Sequence, residues 1–117
     1  MSLTFKTPRV RREFCTCSIQ PELLDILEFI EDFFGIIPVI TSAYREGDEG
    51  VHGTDPLRGL DLRLRGLPGQ TVAKMINENF IYDPTRPGKL CAIVHDIGLG
   101  AHLHLQVHPK TCKRSLA

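Results

Sequence analysis

The strongest pattern in the chain is an amphipathic repeat over residues 18–34, SIQPELLDILEFIEDFF. Its apolar residues recur every three or four positions, and its acidic residues fall on the opposite side of a helical projection. Seven apolar side chains are expected to face inward: Leu23, Leu24, Ile26, Leu27, Ile30, Phe33 and Phe34. Ser18 suits the N-cap of this predicted helix, and Gly35 suits its C-terminal end.

Residues 68–80, PGQTVAKMINENF, carry a second helical pattern, with Val72, Met75, Ile76 and Phe80 expected inward. Four segments are predicted to be strands: residues 36–43, 58–65, 90–97 and 102–109. In the second of these, RGLDLRLR, leucines alternate with charged residues, which is the period of a half-buried strand. The last two are separated by a glycine-rich stretch, residues 98–101, and are predicted to form a β-hairpin. Residues 1–17 are predicted to be an irregular or extended lead-in.

The order of these elements is α-β-β-α-β-β, which predicts an α+β fold with two helices and a mainly antiparallel sheet. A chain of 117 residues suits a single domain, residues 1–117. Apolar residues make up 42% and charged residues 24%, as in ordinary globular proteins.

Charge and hydropathy exclude two classes of partner. Lys and Arg number 14, as do Asp and Glu, so the chain lacks the basic excess of a nucleic-acid-binding protein. No apolar run reaches the ~18–20 residues of a membrane span, so no membrane partner is predicted. Residues 1–14 lack the apolar run of a secretory signal, and a cytoplasmic location is predicted. The four cysteines have no metal-site spacing, which favours reduced thiols.

Three of the five histidines lie in HLHLQVH, residues 102–108, and fall on one face of the predicted strand. Two interpretations are open: a solvent-exposed polar face, or a functional one. The same choice applies to Asp61. It belongs either to the solvent-exposed face of a half-buried strand, with Arg63 and Arg65, or to a functional site in which it supplies a carboxylate beside His104. Two histidines and one carboxylate leave one coordination position for water, as in catalytic zinc sites. Zinc would lower the pKa of that water to ~7 and polarise a carbonyl.

Four patches in sequence order resemble a known family. They are SAYR at residues 42–45, His52, RGLDLRL at 58–64 and HLHLQV at 102–107. Together they are similar to the zinc peptidases of the D-alanyl-D-alanine carboxypeptidase and phage endolysin group. The similarity extends over about residues 36–108.

The resemblance implies a hedgehog/D-Ala-D-Ala-peptidase-like fold, one Zn²⁺, and hydrolysis of peptidoglycan stem peptides as a carboxypeptidase or endopeptidase. Position by position, His52, Asp61 and His104 match the zinc ligands. Arg45 matches an arginine that holds the substrate or stabilises developing negative charge. A phage-encoded member would act in the host cytoplasm or as part of the phage particle.

Two departures from the family pattern bear on catalysis. Eight residues separate His52 from Asp61, more than in the family, and a wider turn at residues 53–56 would absorb the excess. Ala101 stands where most members carry the Glu or Asp that acts as general base, whose loss lowers rates by roughly 10²–10⁴. The candidates to replace it are His102 and Asp96, together with His95, Asp48 and Glu49.

Two alternatives to a peptidase stay open. The chain would be a metal-binding or structural module that keeps the fold without catalysis, for example in a phage particle, and Ala101 favours this alternative. In the second alternative, the chain is an α+β interaction domain whose histidines bind no metal. The choice between His102 and His104 as the last ligand is also open, although the motif aligns better with His104.

Overall fold

The computed structural model describes residues 2–45, 47–96 and 101–114, without the side chains of Asp96 and Ala101. The elements in chain order are β1 (Thr4–Phe5), α1 (Pro8–Cys15), α2 (Pro21–Phe34), β2 (Val39–Ser42), the 3₁₀ turn Val51–Gly53, β3 (Gly59–Arg63), α3 (Gly69–Asn79), β4 (Phe80–Ile81), β5 (Ala92–Asp96), β6 (Ala101–Gln106) and β7 (Cys112–Lys113). The predicted α+β class is confirmed.

The main sheet has five strands in the order β1-β2-β3-β6-β5, and β4 pairs with β7 in a separate ribbon. Strand β1 runs parallel to β2, whereas the other three pairings are antiparallel. The sheet is therefore mixed, which corrects the expectation of a mainly antiparallel one. A parallel neighbour needs a long crossover, and α1 and α2 supply it between β1 and β2.

The expected irregular lead-in is wrong for most of residues 4–15, because this segment contains β1 and α1. The hydroxyl of Thr7 accepts a hydrogen bond of 3.2 Å from the backbone N–H of Val10, which caps α1. Pro8 occupies its first turn. The buried residues of this helix are Val10 and Phe14, and a helix of eight residues with so few apolar positions is short for recognition from sequence.

The two predicted helices exist with shifted boundaries. Helix α2 begins at Pro21 rather than near Ser18, and Gln20 makes no side-chain cap. It ends at Phe34, and Gly35 follows as its C-cap with a φ of +70°, which is strained for any residue with a Cβ. Phe33 was expected inward but is 56% exposed.

The hydrophobic core lies on one face of the sheet. Its fully buried large side chains are Leu23, Ile26, Ile30, Ile40, Leu57, Leu60, Leu62, Val72, Ile76, Leu103, Leu105 and Val107. Full burial of each such side chain contributes roughly 1.5–3 kcal/mol. Because side chains alternate along a strand, burial of the leucines of β3 and β6 turns the residues between them to the opposite, polar face.

In the part of the chain that the structure describes, no helix is both long enough and apolar enough to cross a membrane. All four cysteines are free thiols, and only Cys91 is buried. Burial raises the pKa of the Cys91 thiol to about 12.

Candidate metal centre

The pairing of β3 with β6 places Asp61 directly opposite His104. Paired residues of an antiparallel ladder point to the same side of the sheet, here away from the core. The Nδ1 atom of His104 lies 3.0 Å from Oδ1 of Asp61. The alternating patterns of β3 and β6, which are distant in sequence, thus bring one carboxylate and one imidazole together.

His52 approaches this pair from the 3₁₀ turn, which packs tightly on β3. A Cβ at Gly59 would overlap the side chain of Val51, and a Cβ at Gly53 would overlap the carbonyl group of Asp48. Glycine at both positions therefore permits the close approach that the turn requires. His52 itself is only 4% exposed.

A hydrogen bond determines the tautomer of His52. Its Nδ1 atom lies 2.8 Å from the carbonyl oxygen of Ala43, and a carbonyl can only accept, so Nδ1–H is the donor. In the neutral ring, Nε2 then carries a lone pair. This Nε2 is buried and has no hydrogen-bond partner among the described residues, although Asp61 Oδ1 is 3.3 Å away. A buried polar atom without a partner is costly, and a bound cation would satisfy it.

His104 is oriented from its other side by Gln106. The amide nitrogen of Gln106 donates to the carbonyl of Leu90 at 2.8 Å, which turns the amide oxygen toward the ring. That oxygen, Oε1, lies 3.3 Å from His104 Nε2. An Nε2–H donor there leaves Nδ1 as the atom that faces Asp61. Metal-binding histidines characteristically donate their second N–H to such an oxygen.

The three side chains form a group that can hold a metal ion. His52, Asp61 and His104 each offer one ligand atom, and these atoms lie within 4.8 Å of one another. A tetrahedral ion with bonds of ~2.0–2.1 Å separates neighbouring ligand atoms by about 3.4 Å. Asp61 Oδ1 lies 3.0 Å from His104 Nδ1 and 3.3 Å from His52 Nε2, and both separations are close to that value.

The carboxylate of the group is anionic. Burial raises the pKa of Asp61, but the adjacent imidazoles of His104 and His52 outweigh it and hold the pKa below its usual range. A carboxylate that stays ionised beside two imidazoles is a suitable ligand for a divalent cation.

A pocket of about 220 Å³ opens beside Asp61. Its lining residues are Lys6, Thr41, Ser42, Arg45, Asp61, His95 and His102. The predicted catalytic candidates Arg45 and His102 thus share a pocket with Asp61, one member of the metal group. The ring of His95 stacks on that of His104 with their centroids 5.5 Å apart.

A bulge in β2 shapes one wall of this pocket. Ile40 pairs with Leu62 and Ser42 pairs with Asp61, so Thr41 is an extra residue on the β2 side. Such a bulge bends a strand and redirects its side chains. Both Thr41 and Ser42 consequently line the pocket, which the sequence pattern did not predict.

Other candidates lie elsewhere. Arg63 is exposed, as the interpretation of a solvent-exposed face predicted. His108 follows β6 and lies 4.0 Å from Asp83, outside the metal group. Asp96 pairs with Ala101 at the end of the β5–β6 hairpin. The Asp96 side chain falls outside the described part of the chain, and so do residues 98–100 of the turn predicted at 98–101.

Arg58, within the patch RGLDLRL, has a structural role. Its Nε donates to the carbonyl of Val107 at 2.8 Å, and its Nη2 donates to the hydroxyl of Tyr82, also at 2.8 Å. These bonds join the start of β3 to the segment after β6 and to the loop after β4.

A larger groove than this pocket is remote from the chemistry. It has a volume of about 380 Å³, lies on the outer side of α2, and is lined by Asp25, Glu28, Phe29, Asp32, Phe33 and Lys113. It contains no histidine, so the smaller pocket beside Asp61 is the candidate site.

Comparison with known proteins found no match: no family model, no curated protein and no solved structure matches the chain.

Proposed function

We propose that the chain is a zinc-dependent peptidase that acts on peptidoglycan stem peptides. The observation that carries the proposal is the buried Nε2 lone pair of His52, which faces an ionised Asp61 with His104 on the other side. Two histidines and one carboxylate leave a fourth position for water or substrate, which distinguishes catalytic from structural zinc sites.

The donor atoms favour zinc over the other common divalent cations. Mg²⁺ and Ca²⁺ prefer sites made entirely of oxygen, whereas two imidazole nitrogens with one carboxylate suit zinc. Zinc in such a site supplies Lewis-acid activation of a carbonyl and of water.

The chain's own side chains supply the remaining functions in the proposal. Arg45 lines the pocket and binds a substrate carboxylate or the oxyanion that develops during hydrolysis. His102, which lines the same pocket, takes the proton-accepting role because Ala101 supplies no carboxylate. Asp96 keeps its place as the second candidate for this role.

The choice of substrate rests on the resemblance of SAYR, RGLDLRL and HLHLQV to peptidoglycan peptidases. The sheet has a polar face, and the 3₁₀ turn that carries His52 packs beside it on β3. This arrangement is consistent with a hedgehog/D-Ala-D-Ala-peptidase-like fold. The proposed substrate is accordingly a short peptide with small side chains.

Incubation of the untagged, zinc-loaded chain with purified peptidoglycan, followed by mass spectrometry of the released peptides, tests the proposal. We expect cleaved stem peptides from the wild type and none from Asp61→Asn. The matched control is His108→Asn, which changes a histidine outside the metal group and should keep the activity. Absence of cleavage by the fully zinc-loaded wild type would contradict the peptidase.

A catalytically inactive metal-binding module is the second candidate. Its support is Ala101 at the position of the usual general base, together with Asp61 as the sole carboxylate among the described lining residues of the pocket. It predicts stoichiometric zinc without cleavage in the same assay. An interaction domain without metal predicts neither zinc nor cleavage.

A further inference from the structure

We propose that the chain associates with a second copy of itself, through an acidic groove on α2 that contacts a basic groove along α1. The acidic groove is lined by Asp25, Glu28, Phe29, Asp32, Phe33 and Lys113. The basic groove has a volume of about 630 Å³ and is lined by Arg9, Arg12, Glu13, Thr16, Tyr44 and Arg45. The inference goes beyond the proposed function, because the described lining residues of both grooves exclude the metal group.

The charges of the chain are separated along its sequence. The formal net charge is zero, yet residues 1–17 carry four cationic side chains and one acidic one. Residues 18–35 carry five acidic side chains and no cationic one. Because these two segments contain α1 and α2, one helix of the molecule is basic and the next is acidic. Surfaces of opposite sign on one molecule attract each other between copies.

The two grooves match each other in charge. Three carboxylates and one lysine give the acidic groove a charge of −2, and three arginines and one glutamate give the basic groove +2. Among the described residues, the three carboxylates form no ion pair within the molecule, and neither does Arg12. These charges are therefore available to a partner.

The other two arginines of the basic groove are held only weakly. Arg9 pairs with Glu13 at 3.2 Å, and the Arg9 side chain is 82% exposed. Arg45 pairs with Asp48 at 3.5 Å, and the Arg45 side chain is 50% exposed. Exposed pairs of this kind contribute little free energy, so a second copy gains ion pairs without losing strong ones.

The acidic groove also has an aromatic surface that one copy leaves uncovered. The rings of Phe29 and Phe33 stack with their centroids 5.3 Å apart, and Phe33 is 56% exposed. Guanidinium groups bind carboxylates and also stack on aromatic rings, so arginines suit both components of this groove. Tyr44 adds an aromatic ring to the basic groove. Aromatic residues and arginine are the types enriched in protein–protein interfaces.

Sedimentation equilibrium of the untagged full chain at pH 7 tests the association. We expect a monomer–dimer equilibrium with a dissociation constant of about 10–100 μM in about 50 mM NaCl, as for a small interface. In about 500 mM NaCl the constant should rise about tenfold, because salt screens exposed charges. Zinc-loaded and zinc-free chains should behave alike, because the grooves lie outside the metal group.

Two charge reversals test the surfaces themselves. Asp32→Lys brings the acidic groove to zero charge and Arg12→Glu does the same for the basic groove, so each variant alone should associate about tenfold more weakly. An equimolar mixture of the two should form a 1:1 dimer, because the intact basic groove of one variant meets the intact acidic groove of the other. The matched controls are Glu78→Lys and Lys74→Glu on α3, an exposed pair outside the described lining of both grooves. Both controls should associate like the wild type.

A wild type that stays monomeric at about 0.5 mM in low salt, well above the expected constant, would overturn the inference. So would unchanged association of the two reversal variants, an equal loss in the α3 controls, or failure of the mixture to associate while both variants keep a native circular dichroism spectrum. Dimers that form only with zinc would assign the contact to a bridging metal and reject the grooves. None of these readouts depends on peptidoglycan cleavage, so failure of the association and failure of the peptidase are distinguishable.

Discussion

His52 and Ala43 are joined by a 2.8 Å hydrogen bond from imidazole Nδ1 to a backbone carbonyl. This bond decides which nitrogen of the ring faces the site. It leaves Nε2 buried and directed at Asp61, with no hydrogen-bond partner in the part of the chain that the structure describes. A side chain that only filled space here would gain nothing from such an arrangement, whereas a metal ligand needs it.

Removal of His52 should therefore abolish metal binding. We expect His52→Ala to weaken zinc affinity by more than about 100-fold, since loss of a ligand costs more than the 10–100-fold typical of outer-shell changes. A competition assay with a chromogenic chelator measures this. His108→Asn, outside the group, should retain wild-type affinity, and equal affinities in the two variants would refute the assignment of His52.

Gly59→Ala should displace the turn that carries His52, because the added Cβ overlaps the side chain of Val51. We expect a loss of about 1–3 kcal/mol in the free energy of unfolding, as for other overpacked sites, together with weaker zinc binding. Denaturant titration and chelator competition measure the two effects. Gly88→Ala is the control, since no atom lies within 4 Å of a Cβ there.

The amide oxygen of Gln106 should contribute to zinc affinity through His104. Gln106→Leu removes the acceptor at Nε2, and we expect affinity to fall about tenfold. Gln106→Glu keeps an acceptor for His104 but removes the donor to Leu90. Affinity near wild type in Gln106→Glu and lowered in Gln106→Leu would identify the role as ligand orientation; an equal loss in both would assign it to the contact with Leu90.

Stability in acid should depend on Asp83, which is remote from the metal group. Hydrogen bonds from the backbone N–H and hydroxyl of Thr85, aided by Arg86, lower the pKa of Asp83 from 3.8 to about 2. Because the folded-state pKa is the lower one, the stabilisation is complete above about pH 4 and is lost as the pH falls to about 2.

Asp83→Asn should accordingly lower the melting temperature at pH 6 and show a smaller further loss between pH 4 and 2 than the wild type. Thermal unfolding of both proteins across this range measures the difference. If the melting temperatures of the two proteins fall by the same amount between pH 4 and 2, the pKa of Asp83 does not change on folding.

The parts predicted from sequence are those governed by local periodicity. Alternation in β3 and β6 was enough to place Asp61 and His104 on one polar face, and the acidic–apolar repeat was enough for α2. The N-terminal strand has only two residues, too few to show any period, and its parallel pairing with β2 is a contact distant in sequence. For that reason the position of Lys6 beside the site required the structure, as did the roles of Gln106 and the β2 bulge.

The central claim is a zinc site built from His52, Asp61 and His104, and the zinc content of the untagged chain tests it most directly. Elemental analysis after dialysis against trace zinc should give one zinc per wild-type chain and roughly 0.1 or less for His104→Ala. The variant is expected to lose its zinc because one of the three protein ligands is missing. Wild-type protein with as little zinc as the variant, or a variant that keeps the full complement, would contradict the account.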